Sequence, residues 1–246
     1  MKLPEPQCGI SAKKSDSFKQ TIYLVRHGET DPNVKNTYQG KTLDPGLNEK
    51  GRKQVYRLAL YLEKEVGNVK TIYTSPMRRA LDTMAIIAHI LSKPGKKGPD
   101  GQILPKMIIE PGLAEIDHGA WDGKTAEEVK KIWPEIFETW QSGNQNCVEF
   151  PGGESVVRAR KRVFAGFQNI LKNDSGEKII IAAHGGANAL ILAKILKAPL
   201  FKPIRQSNAC LNIIERNFEN NKNDLKIALM NGTTHLNNII RKCYAY

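Results

Sequence analysis

Apolar positions along this chain alternate between two periods. Thr21–Val25 and the isoleucine-rich Lys178–Ala183 are short β-favouring runs, the pattern of buried strands. Val69–Thr74 and Met107–Glu110 predict shorter strands. In Leu47–Val66, Val55, Leu58 and Leu62 fall on one helical face. Met77–Leu91 keeps helical periodicity after Pro76, at a helix start where a missing N–H costs nothing. Thr125–Trp140 predicts a helix interrupted at Pro134. Glu154–Lys172 and Ala187–Leu196 predict two more helices. Leu211–Glu215 and Leu225–Met230 predict late strands, a hairpin across Asn220-Asn221. The stretches Asp31–Gly46 and Lys93–Pro105 read as polar loops. Strands and helices in alternation predict an α/β fold: a three-layer α/β/α sandwich around a mostly parallel, mixed sheet. No linker splits the chain. Residues 21–236 read as one domain, with a loose N-terminal tail at 1–20 and a C-terminal tail at 237–246.

Composition narrows this picture only modestly. The 246 residues are 40% hydrophobic and 25% charged, ordinary for a globular protein with a substantial core. The net charge of +12 favours anionic partners. The lysines are scattered, however, and no nucleic-acid module is present in the pattern, so nucleic acid is not the expected partner. No apolar run is long enough to span a membrane, and residues 1–20 lack an apolar signal core. Cys8, Cys147, Cys210 and Cys243 are widely spaced with no Cys-x-x-Cys, the usage of reduced thiols in a cytoplasmic protein.

Unusual residues gather where strands end. The first strand runs into Arg26-His27-Gly28, the second into Ser75-Pro76-Met77-Arg78-Arg79-Ala80, and Lys178–Ala183 into His184-Gly185-Gly186. Glu115 follows the third strand. Parallel strands bring these segments to one edge of the sheet, where open α/β folds place their ligand crevice. Two histidines, two arginines and a carboxylate in one crevice suit phosphoryl transfer. Fixed cations stabilise the charge on the transferring group. One histidine can take the group covalently, and a carboxylic acid can protonate the leaving oxygen. Arginines can supply the charge without a metal, so no metal or cofactor is expected.

The same segments resemble the histidine phosphatase superfamily, which includes the cofactor-dependent phosphoglycerate mutases. Arg26-His27-Gly28 with Glu29, Thr30 and Asn33 resembles the family signature, apart from Pro32, where the family has tryptophan. Gln39-Gly40, Asp44, Leu47, Gly51 and Gln54 resemble its continuation. Ser75, Arg79-Ala80 and Thr83, then Leu113, Glu115, Gly119, Trp121 and Gly123, match further segments. Pro151–Ser155, Ala183–Gly186 and Asn231–Leu236 complete the order. The resemblance implies a phosphoglycerate mutase-like fold with His27 as the nucleophile that forms phosphohistidine. It implies Arg26, Arg79 and His184 around the phosphate, and Glu115 as proton donor. Gly28 would lend its carbonyl to the other ring nitrogen of His27. Asn33, Gln39, Gly40 and Gly185 would contact substrate or phosphate.

Competing assignments stand beside these. Arg78 rivals Arg79, but Ala80 anchors the register on Arg79 and leaves Arg78 facing solvent. Asp117 rivals Glu115, which could instead cap a helix. His118 departs from the aromatic or apolar residue common in the family and reads as an incidental surface histidine; His89 reads as structural. Trp121 and Trp140 read as core or pocket wall. Only Lys124–Phe150 separates the acid segment from Pro151-Gly152-Gly153-Glu154-Ser155, the shorter pattern of the phosphatases. The expectation is a metal-independent phosphatase acting on a small phosphorylated metabolite. The alternatives are a phosphoglycerate mutase and an inactive phosphate-binding module, with homodimerisation left open.

Overall fold

The computed structural model describes residues 17–67, 69–92, 105–142, 145–199, 204–219 and 222–237. Six strands form one sheet: β1 (Phe18–Arg26), β2 (Thr71–Thr74), β3 (Lys106–Ile109), β4 (Lys178–Ala183), β5 (Leu211–Glu219) and β6 (Lys222–Gly232). Their order across the sheet is β3-β2-β4-β1-β5-β6. β4 runs parallel to both β1 and β2, and β3 runs parallel to β2. β5 is antiparallel to β1 and to β6, so the sheet is mixed but mostly parallel.

Helices cover both faces, as the strand pattern requires. In β1, Ile22 and Leu24 point to one core and Tyr23 and Val25 to the other. In β4, Ile179, Ile181 and Ala183 join the first, and Ile180 and Ala182 the second. Successive strand side chains face opposite sides, so strands that are apolar throughout need a layer on each. α2 (Glu49–Val66) and α3 (Arg78–Leu91) fill one face. α6 (Val156–Asn173) and α7 (Gly185–Ile195) fill the other. α4 (Ala126–Ile132) and α5 (Pro134–Ser142) pack beside them, separated at Trp133 as Pro134 predicts. Helix starts are capped: Asn48 accepts from the Gly51 N–H and Ser155 from the Arg158 N–H.

Several boundaries differ from the pattern. β1 begins at Phe18, three residues before Thr21, because Phe18, Lys19 and Gln20 pair with Phe218, Asn217 and Arg216. Those three residues are strand rather than tail and Ser17 is exposed coil before them, while residues 1–16 of the expected tail lie outside the described residues. A one-turn helix, α1 (Asp31–Val34), sits in the predicted Asp31–Gly46 loop. The last strands are longer than predicted because they sustain each other's pairing from Leu211↔Gly232 to Glu219↔Lys222. The Asn220-Asn221 turn and the loop at 93–104 lie outside the described residues. So do Cys8, Cys243 and the C-terminal tail from 238. Asn237 ends a further one-turn helix, α8 (Thr234–Asn237). Cys147 and Cys210 are free thiols. Among the described residues no helix is long and apolar enough to cross a membrane.

Candidate active site

Backbone pairing continues one residue past the central strands and fixes the site. The His27 N–H donates to the Ala183 carbonyl at 3.1 Å, and the Ser75 N–H to Ala182 at 2.9 Å. His27, Ser75 and His184 therefore stand together at the carboxyl edge of β1, β2 and β4. The His27 ring is buried, with Nδ1 2.7 Å from the Gly28 carbonyl. A carbonyl only accepts, so Nδ1 carries the proton and Nε2 keeps its lone pair. Gly28 must be glycine. A Cβ there would lie 2.6 Å from the Gly51 carbonyl oxygen and 2.8 Å from Val55 Cγ2.

His184 lies 5.3 Å from His27 between ring centroids. Its Nδ1 accepts from Arg79 Nε at 3.2 Å. In the neutral ring Nε2 then bears the proton, which it donates to Ser75 Oγ at 2.7 Å. Burial pushes both imidazoles well below the ordinary histidine range. The neighbouring guanidiniums add to that push: Arg26 and Arg79 on His27, and chiefly Arg79 on His184. Arg79 is fully buried, whereas Arg78 is exposed, in agreement with the register set by Ala80. Four of Arg79's five N–H groups have protein acceptors: His184, the Gly40 and Leu43 carbonyls, and Asp44. One Nη2 proton remains for a ligand. Arg26 donates through Nη1 to the Gln206 carbonyl at 2.5 Å, while its buried Nε finds no partner among the described residues. An anion in the crevice would satisfy it.

Glu115 is both a site residue and a helix cap. Its Oε1 accepts from the Ile116 and Ala187 N–H groups at 2.9 and 3.0 Å, and Oε2 from Gly186 at 3.0 Å. This explains why α7 starts at Gly185 rather than Ala187: the carboxylate satisfies the N–H groups of its first turn. A Cβ on Gly186 would lie 2.6 Å from Oε1, so glycine admits the carboxylate. Asp117 lies away from this cap, accepting from Gly119. Arg162 of α6 fixes the acid segment from behind, donating to the carbonyls of Gly112, Ala114 and Glu115.

The secondary contacts divide. Asn33 Oδ1 accepts from Asn208 Nδ2 at 2.9 Å and from the Thr30 N–H at 3.2 Å, and the Thr30 hydroxyl reaches Gln39 at 2.6 Å. Gly185 abuts the Arg26 guanidinium, at 3.4 Å from an added Cβ. Gly40 is not a free anion donor: its N–H is on Asp122 and its carbonyl on Arg79. His118 is not on the surface. It is buried, edge-on to Phe150 at 4.7 Å and beside Tyr38 and Trp140. The aromatic neighbours draw it in as they would a phenylalanine. His89 is exposed on α3 rather than structural. Trp121 and Trp140 are core. Ser75, Asp122, Arg162, Gln206 and Asn208 join the site without a role predicted from the sequence. Ser75 and Asp122 lie inside matched motifs, Arg162 lies about two turns beyond Ser155, and Gln206 and Asn208 lie about 20 residues past Gly186. Among the described residues no group of three or more His, Cys, Asp or Glu side chains is placed to hold a metal ion.

Comparison with known proteins identifies the family and the fold. The family model of the histidine phosphatase superfamily (branch 1) matches residues 22–227. Phosphoserine phosphatase 1 of Hydrogenobacter thermophilus is 34% identical over 163 residues, 66% of this chain and 70% of that protein. A metal-independent phosphoserine phosphatase of Arabidopsis thaliana is 33% identical over 202 residues, 82% and 78% of the two chains. Among solved structures, Bacillus stearothermophilus YhfR superposes with a TM-score of 0.74 at 29% identity, covering 88% of this chain and 99% of that one. A phosphoserine phosphatase of Entamoeba histolytica, solved with phosphoserine, gives 0.69 at 25% identity, with the same coverage.

Proposed function

Since the chain belongs to the histidine phosphatase superfamily, we propose that it is a metal-independent phosphatase of a small phosphorylated metabolite, acting through phosphohistidine on His27. The observation that carries this reading is the 2.7 Å contact of His27 Nδ1 with the Gly28 carbonyl, from which the tautomer follows. The Gly28 carbonyl holds Nδ1–H, so Nε2 presents its lone pair among Arg26, Arg79 and His184. Nε2 attacks phosphorus and the ester P–O bond breaks. Glu115 gives its proton to the leaving oxygen. Oε2, with one backbone donor against two on Oε1, is the oxygen with room for that proton. Water then attacks the phosphohistidine while Glu115 takes back a proton. The P–N bond breaks, Nε2 recovers its lone pair and inorganic phosphate leaves. The Arg26 and Arg79 guanidiniums neutralise charge on the equatorial oxygens throughout, while neutral His184 holds Arg79 in place. Phosphoserine heads the candidate substrates because the relatives above are named for it.

The test is a panel of phosphoserine, 3-phosphoglycerate and sugar phosphates in excess EDTA, scored for free phosphate and for 3- to 2-phosphoglycerate conversion. Phosphate release is expected to survive EDTA. Rapid quench is expected to trap an acid-labile phosphoenzyme that His27→Ala lacks. Substantial turnover by His27→Ala would refute the nucleophile. Isomerisation without net phosphate release would make the protein a mutase.

A further inference from the structure

Asp122 takes no part in the chemistry above, yet its side chain is 6% exposed and heavily bonded. It accepts from the N–H groups of Gly40, Thr42 and Leu43 at 2.6, 2.9 and 3.2 Å, and from the Thr42 hydroxyl. Two of those residues turn their carbonyls the other way. Gly40 O accepts from Arg79 Nη2 at 2.9 Å, and Leu43 O from Nη1 at 3.1 Å. Residues 40–43 are thus clamped between a buried carboxylate and a buried guanidinium. The remaining Nη1 contact, Asp44 at 3.3 Å, is a weaker anchor, since its side chain is 37% exposed. The clamp leaves no slack at Gly40. A Cβ there would sit 2.6 Å from Asp122 Oδ1 and 2.7 Å from the Ile116 carbonyl oxygen.

We propose that Asp122 is a positioning residue that aims Arg79 at the phosphoryl group through the carbonyls of Gly40 and Leu43. The inference rests on Arg79 being a phosphate ligand, as the proposed function holds. Asp122→Asn keeps the shape but turns an amide N–H₂ toward backbone N–H donors, whichever way it rotates. That loosens the segment and lets the guanidinium swing.

The experiment is a double-mutant cycle on kcat/KM, with orthophosphate affinity measured by calorimetry beside it. Asp122→Asn is expected to lower kcat/KM and orthophosphate affinity, the former by about 10- to 100-fold, as misplacement of a binding group does. In an Arg79→Ala background the same change is expected to cost less than about twofold, because the effect runs through Arg79. Additive losses, or orthophosphate binding unchanged by Asp122→Asn, would overturn the inference. If Asp122→Asn does not fold, Thr42→Val removes the hydroxyl contact alone. It should give a smaller loss that also vanishes without Arg79, and no loss would count equally against the inference. A wild-type protein that neither hydrolyses phosphate esters nor binds orthophosphate would remove the proposed function and this inference together. One that does both, with Asp122→Asn its equal, would remove the inference alone.

Discussion

Residues in this site are tuned by what surrounds them rather than by their own chemistry. His27 and His184 stay neutral because they are buried against guanidiniums, and His118 because it is buried among aromatic rings. In the unfolded chain each titrates near the ordinary value of about 6.5. Below that value the unfolded state binds protons that the folded state does not, so stability falls as pH drops and is level above it with respect to these groups. His118 gives the cleanest measure. Its Nδ1 has no hydrogen-bond partner among the described residues and stands 3.9 Å from the nearest Asp122 oxygen. His118→Phe should keep the ring packing and stabilise the protein by about 1 kcal/mol at pH 7, by deleting an unpaired buried group. It should also lose less stability than wild type between about pH 7 and pH 5. Urea titrations at several pH values check both; an identical pH slope would show that His118 is not held neutral. The sequence revealed His27, His184, Arg79 and Glu115 because each sits in a local motif. It hid the burial of His118, which depends on Phe150, Tyr38 and Trp140 from three other segments.

Elements meet closely where the acid segment crosses α6. A Cβ on Gly166 would lie 2.8 Å from Gly112 Cα, backbone against backbone. That contact sets the height of residues 112–115 on the helix, and Arg162, one turn earlier, takes their carbonyls. Gly166→Ala should therefore destabilise by about 1–3 kcal/mol through overpacking. It should also lower kcat, since Glu115 rides on the displaced segment. Chemical denaturation with parallel kinetics tests this. Full stability would mean that the segment yields easily, and full activity that Glu115 is placed by α7 alone. Elements with a local cause were legible: the Ile run of β4, the Pro134 break, the one-sided face of α2. The early start of α7 was not, because the Gly186 N–H is capped by Glu115, 71 residues away in sequence.

The whole molecule carries a net charge of +12, which favours the approach of anions from a distance. kcat/KM for a dianionic substrate should fall as ionic strength rises from about 0.01 M to about 1 M, as long-range attraction is screened. kcat should change less, because the buried guanidiniums act at contact distance. A flat response would assign binding to those contacts alone. The layered architecture was readable from alternating periods, and the convergence of strand ends from parallel pairing. The loop geometry around Arg79 was not, since it depends on backbone carbonyls that have no sequence signature. The strand order has a last consequence, for biosynthesis. β4 lies between β1 and β2 in the sheet, yet the ribosome makes it after both. Until Lys178–Ala183 has emerged, β1 and β2 have no strand to join them, and the His27 N–H has no Ala183 carbonyl to meet. The nascent chain therefore carries apolar strand edges unpaired until β4 has been made, the interval in which such edges invite aggregation or a chaperone.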